Sequence, residues 1–335
     1  MDNLTHTLTG LMLSRAGLNR LTPRASLILM LAANAPDVDS VTMLGGITTY
    51  LDWHRGPTHG LPMLPLMALL PVAAAGLWRR PPNFSWPWAY LLSMIGILSH
   101  LLMDWTNIYG IRLLSPLSGE WFRLDTTAVV DLWIWLVLVM AVAWPLLSRL
   151  VGSEIGARPQ QQAGAGLARF ALALVMIYDF GRFVLHMRAV ETLNARIYPG
   201  GPPRQIAALP NYLNPLRWTG LVELPGRWER HALNMTREFD PSAGQLLYQA
   251  APSPEIEAAR SQEAFRALQR FSKTLLWQNV KLAEENAGSE VRATDLRFSE
   301  PGEGAFTARA LVGLDGKASE ARFQFRGANS PVIPH

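Results

Sequence analysis

The sequence predicts a mainly α-helical chain: a polytopic membrane domain of about four spans plus short N-terminal helices, then a small α+β soluble domain. Four apolar stretches, 61–78, 86–103, 127–148 and 167–187, each approach the ~20 residues that cross about 30 Å of hydrocarbon. Apolar residues make up 49% of the 335 residues against 17% charged, and the excess lies in the first part of the chain. From about residue 205, Pro210-Asn211, Asn214-Pro215 and Pro225-Gly226 punctuate an ordinary globular composition. The expected domains are therefore 1–190, membrane-embedded, and 191–335, soluble.

Residues 4–17 and 22–34 read as short helices, with Thr22-Pro23 as cap and first-turn proline. Both are short for spanning and are expected to be re-entrant or packed against the bundle. Pro36 disfavours helical geometry at Ala35 and ends the second. The first two spans cross out and back around Arg79-Arg80-Pro-Pro, so His59 and His100 are expected at one membrane face. The loop 105–126 returns there, with Trp105, Tyr109 and Trp121 as interfacial anchors. A Gly/Gln/Ala-rich linker, 152–166, joins the third and fourth spans, which puts the C-terminal domain on the same face as His59. The short arginine-bearing connections are read as cytoplasmic, placing that face outside an inner membrane.

In the C-terminal part, 229–239 and 245–249 read as strands and 255–271 as an amphipathic helix. Three further strands follow at 290–298, 305–314 and 318–325, the last two joined by Asp315-Gly316 as a hairpin turn. The absence of cysteine excludes disulfides and thiolate ligands, and a net charge of +4 gives little reason to expect nucleic acid. Met1-Asp2-Asn3 opens without the basic region of a secretory signal.

The chemistry is concentrated in the first third. The chain has seven histidines, and four of them, His6, His54, His59 and His100, precede residue 105 beside Asp37, Asp39 and Asp104. Imidazoles and carboxylates at the rim of a bilayer are costly to desolvate, and a divalent cation compensates them. His100 and Asp104 stand at i and i+4 on one helix face. Asp37 and Asp39 either cap a turn or hold a cation between them, because two adjacent carboxylates otherwise repel. Arg-Gly-Pro-Thr between His54 and His59 forces a turn that can bring both rings inward. Arg55 suits an anionic substrate group or a lipid headgroup. In the fourth span Asp179, Arg182 and His186 share a stripe, with a salt bridge between the first two and a reach toward the cavity for Arg182 and His186.

The ordered set His6, Asn34-x-Pro-Asp37-x-Asp39, His54-Arg-Gly-x-Thr-His59 and His100-x-x-x-Asp104 resembles the YdjM-like family of inner-membrane proteins, described as metal-dependent hydrolases, over roughly residues 1–190. The resemblance implies a membrane-bound hydrolase with metal ligands at His6, Asp37, His54, His59, His100 and Asp104. Part of the pattern also looks like the zinc-dependent phospholipase C and nuclease signature. No later His…HxxxE pair follows, which favours one or two ions over three. On this reading Zn²⁺ activates a water, Asp39 or Asp104 orients it or takes its proton, and Arg55, Arg182 and His186 bind the substrate. The expected partner is a membrane lipid or lipid-linked phosphoester or ester. The competing expectation is a non-catalytic membrane protein, either a structural metal site or a transporter using Asp179, Arg182 and His186 as a relay.

Overall fold

The computed structural model describes residues 1–77, 81–154, 163–282, 288–300 and 304–325. Arg79-Arg80 and the middle of the 152–166 linker lie outside them. The chain forms two compact units. One comprises Met1–Asp39, Arg55–Met187 and Pro210–Leu216; the other comprises Ser40–His54, Arg188–Leu209 and Arg217–His335.

The first unit is helical. Helix α1 (Asn3–Arg15) starts at Asp2, whose carboxylate accepts from the Leu4 and Thr5 amides. Helix α2 (Ala25–Ala32) buries Ala25, Ile28, Leu29 and Ala32, an i, i+3, i+4, i+7 stripe. An eleven-residue 3₁₀ segment, Ala35–Gly45, leads on to α3 (Ile47–Trp53) of the second unit. The apolar stretch 61–78 holds Pro62, Pro65 and Pro71, and it forms two short helices in place of one continuous helix, α4 (Leu64–Met67) and α5 (Leu69–Gly76). Each proline removes an amide donor and crowds the preceding turn, so a continuous ladder cannot form. Helix α6 (Trp86–Thr106) is intact for 21 residues. Asp131 caps α7 (Leu132–Glu154), accepting from Trp133 and Ile134, so this helix begins later than residue 127. Helix α8 (Ala163–Asn194) is the longest.

Two glycines let these helices meet backbone to backbone. A Cβ on Gly10 of α1 would stand 2.6 Å from the Leu29 carbonyl oxygen of α2, and one on Gly96 of α6 would stand 2.6 Å from the Ala32 Cβ. Such contacts are the usual basis of helix association in lipid, where apolar burial gives no net drive. The outward faces are apolar: Phe170, Met176, Ile177 and Phe180 of α8 are each more than 60% exposed, while Arg182 is buried. That inside-out distribution suits hydrocarbon surroundings. Among the described residues two helices, Trp86–Thr106 and Gly164–Asn194, are long and apolar enough to cross a membrane; the number rises to four if two bent helix pairs, Ala25–Ala32 with Ala35–Gly45 and Ile47–His59 with Leu61–Gly76, each form a span.

The second unit is rich in β-structure. Strands β1 (Gln205–Pro210), β2 (Arg217–Leu224), β3 (Arg227–Asn234) and β4 (Gln245–Tyr248) form one four-stranded sheet in sequence order. Helices α9 (Pro254–Arg260) and α10 (Glu263–Phe271) replace the single helix expected over 255–271. Strands β5 (Leu275–Lys281), β6 (Ser289–Asp295), β7 (Thr307–Val312) and β8 (Ala318–Gln324) make a second sheet, also in sequence order. The β7–β8 hairpin turns at Asp315-Gly316, where Gly316 has φ 73°. Strands β1, β2 and β5 add to those read from the sequence. Helix α10 buries Phe265, Leu268 and Phe271 beside the second sheet and ties back to α3 through Arg270, 2.7 Å from Asp52.

Candidate metal centre

Four side chains from distant parts of the first unit converge. Asp37 comes from the 3₁₀ segment, His59 from the turn before α4, and His100 and Asp104 from successive turns of α6. Each offers one donor atom, and these atoms all lie within 4.8 Å of one another. His59 Nε2 is 3.0 Å from His100 Nε2, 3.5 Å from Asp37 Oδ1 and 3.5 Å from Asp104 Oδ2. His100 Nε2 is 3.3 Å from Asp104 Oδ2 and 3.8 Å from Asp37 Oδ1. A tetrahedral ion with bonds of about 2.0–2.2 Å sets its ligands about 3.3–3.6 Å apart. The observed separations bracket that range.

The proton positions point the same way. His100 Nδ1 lies 2.7 Å from the Ala33 carbonyl oxygen, which only accepts, so the ring donates there. His59 Nδ1 lies 3.1 Å from Thr58 Oγ1, whose own proton goes to Asp39, and 3.2 Å from Asp39 Oδ2, so this nitrogen carries the ring proton. With the ring proton on Nδ1 in each, each Nε2 presents a lone pair, and the two face each other at 3.0 Å. A cation between them turns that repulsion into ligation. Asp104 Oδ2, buried between the two rings, has no hydrogen bond among the described residues. The cluster could hold a metal ion.

A second set of groups fixes the donors. Asp39 Oδ2 also accepts from the Arg55 amide at 2.9 Å and Thr58 Oγ1 at 2.8 Å, completing a carboxylate–histidine pair with His59. The other oxygen of Asp104 is held by Arg55 Nη2 at 3.0 Å and Asn107 Nδ2 at 3.2 Å, and Met1 supplies its amine to the same atom. Arg55 is buried, donates to Asn107 Oδ1 and the Gly110 carbonyl, and lies 4.6 Å above the Tyr109 ring. Its backbone is left-handed, with φ 55°, and is pinned on both sides: its amide donates to Asp39 and its carbonyl accepts from the Arg112 amide. Tyr109 is accordingly buried beneath Arg55 rather than an interfacial anchor.

The remaining sequence-predicted residues fall as follows. His6 stacks on His100 with ring centroids 3.8 Å apart, and its Nε2 is 3.4 Å from Asp104 Oδ1. Burial pushes the His6 ring well below the usual imidazole range. His54 belongs to the second unit, where its ring stacks on Tyr50 at 4.4 Å. Arg182 donates to the Thr126 carbonyl at 2.9 Å and to that of Pro215. His186 is half-buried on the same helix. Asn107 lies outside the sequence motifs, and Thr58 inside one without an assigned role; Asn107 sits three residues after Asp104 at the end of α6, one helical turn on, and that spacing is the signal that marks it.

The sequence profile of the YdjM inner membrane protein family matches residues 1–188, and so covers every donor just described. The chain belongs to this family. The YdjM match and the apolar helices together make it a membrane protein. It is also similar to the uncharacterized protein YfhP of Bacillus subtilis (strain 168), 24% identical over 331 residues, covering 94% of this chain and 92% of YfhP. That similarity runs past the YdjM region and through the second unit. No solved structure matches the chain.

Proposed function

We propose that this YdjM family member is a membrane-bound metal-dependent hydrolase acting on a phosphoester or ester of a lipid or lipid-linked substrate. The observation that carries this reading is the donor set itself: two imidazole nitrogens and two carboxylate oxygens, at tetrahedral-edge spacing, in a helical unit with an apolar outer face. Asp37, His59, His100 and Asp104 would hold one divalent ion, with zinc best matched to this nitrogen and oxygen set. When bound, such an ion polarises the scissile group and brings the pKa of water toward neutrality.

The chain's own residues do the rest. Asp39 orients His59 and makes it a better donor. Arg55 and Asn107 hold Asp104 by one oxygen so that the other faces the rings. Of the three aspartates Asp37 is the most accessible, its side chain 12% exposed against 5% for Asp39 and 0% for Asp104, so water and substrate approach from its side. Arg55, engaged by Asp104, Asn107 and Gly110, acts on the substrate through Asp104.

Metal analysis of the purified protein, with a hydrolysis screen over phosphoester and carboxylester lipids, tests the reading. A stoichiometric divalent metal and a chelator-sensitive hydrolysis that falls together with the metal in His100→Ala support it. Stoichiometric metal without hydrolysis of any lipid ester would favour a structural site.

A further inference from the structure

The second unit contains a cleft of about 190 Å³ where the end of α8 meets the turn after β3. Arg188, Thr192, Asn234, Arg237, Glu238 and Phe239 contribute to its walls. It is smaller than the ~300–1,000 Å³ of sites for drug-sized ligands, and headgroup-sized ligands suit it. Arg188 and Arg237 are both exposed, and among the described residues neither guanidinium has a hydrogen bond or ion-pair partner. Glu238 is the single carboxylate in the lining, which leaves the cleft net positive. Thr192 and Asn234 add neutral polar groups. Two guanidinium forks with polar neighbours have the chemistry that suits a phosphate group.

The position of Arg188 says where that phosphate comes from. Ile177, Phe180, Val184 and Arg188 follow at steps of three, four and four along α8, so they share one face of the helix. The three apolar residues are each at least 50% exposed. Arg188 therefore ends an apolar stripe on the helix that qualifies as a span, where acyl chains give way to headgroups.

We propose that Arg188 and Arg237 form a phosphate-binding cleft at the end of α8 that takes the headgroup of an anionic phospholipid. The cleft is independent of the metal centre, and its test does not involve hydrolysis. The full-length protein is titrated in detergent with dioctanoyl phosphatidylglycerol, with dioctanoyl phosphatidylcholine and with inorganic phosphate, and thermal unfolding is followed. Phosphatidylglycerol should raise the unfolding midpoint saturably, with phosphatidylcholine giving less. Arg188→Gln and Arg237→Gln should each weaken the apparent affinity roughly tenfold, and the double variant should abolish the shift. An unchanged midpoint for the lipid-free double variant, with metal content at the wild-type level, shows that the loss is not misfolding. Protection by inorganic phosphate equal to that by lipid, and lost in the double variant, would keep the cleft but make its ligand free phosphate. An equal lipid shift in the double variant, or none in the wild type, overturns the proposal.

Discussion

His59 Nδ1 lies 3.2 Å from Asp39 Oδ2, and the same oxygen receives the Arg55 amide and the Thr58 hydroxyl. One carboxylate thus fixes the ring, the turn and the strained residue that braces Asp104. Asp39→Asn keeps the shape but loses the charge that makes His59 a strong donor. Metal affinity, measured by competition with a calibrated chelator, should fall by about 10–100-fold. Unchanged affinity would show that Asp39 plays no part in holding His59.

Loss of a donor is a harsher change. His100→Ala and Asp37→Ala should each leave the purified protein with less than a tenth of the wild-type metal, read by elemental analysis, because a four-donor set reduced to three binds far more weakly. Arg182→Gln, whose contacts are the Thr126 and Pro215 carbonyls, should retain its metal. If His100→Ala kept a full complement, the ion would reside elsewhere.

Arg55→Met keeps an unbranched apolar stem and removes the guanidinium. It leaves Asp104, fully buried, with one oxygen stripped of its guanidinium partner. Breaking a buried pair in this way costs about 3–5 kcal/mol. The metal-free variant should unfold at a markedly lower temperature or denaturant concentration, and Arg55→Lys should recover only part of the loss, since it cannot reach Asp104, Asn107 and Gly110 together.

Gly96→Ala inserts a methyl 2.6 Å from the Ala32 Cβ. Overpacking of this kind costs roughly 1–3 kcal/mol, and here it pushes α6 away from α2. Lower thermal stability should be accompanied by weaker metal binding, because His100 stands one turn further along the same helix. A stable variant with altered affinity, or the reverse, would separate the two effects.

In the second unit, burial pushes the His231 ring below its usual value, opposed by Glu229, whose Oε2 is 3.2 Å from Nε2. The unfolded chain then binds the proton more readily, near pH 6.5. His231 therefore contributes its full stability above about pH 6.5 and loses it as pH falls toward the depressed folded value. Denaturation followed between pH 7.5 and 5 should show a slope in that window that shrinks in His231→Gln. An identical slope in the variant would assign it to other groups.

Much of the candidate centre was legible because its chemistry is local in sequence. His100 and Asp104 share a helical face by spacing alone, and Asp37 and His59 sit at chain breaks where proline and glycine force the backbone inward. Arg55 was harder to read. Its type suggested an anion ligand, but its role follows from a left-handed backbone and from Asn107 and Tyr109, which only the folded chain brings near. The 61–78 stretch shows the limit of hydropathy: it is apolar enough for a span, yet three prolines divide it. Strands β1 and β2 were hidden by the prolines, asparagines and glycines that flank them, and β5 by its proximity to α10.

The contacts at Gly10 and Gly96 lie four residues from His6 and His100, and both are made against α2. The distance between the stacked imidazoles is thus gauged by glycine main chain seated directly against α2. Leu91, Leu98 and Leu102 on the outer side of α6 take no part in that gauge. Related sequences can exchange such outward residues to suit bilayers of different thickness or composition without retuning the chemistry inside.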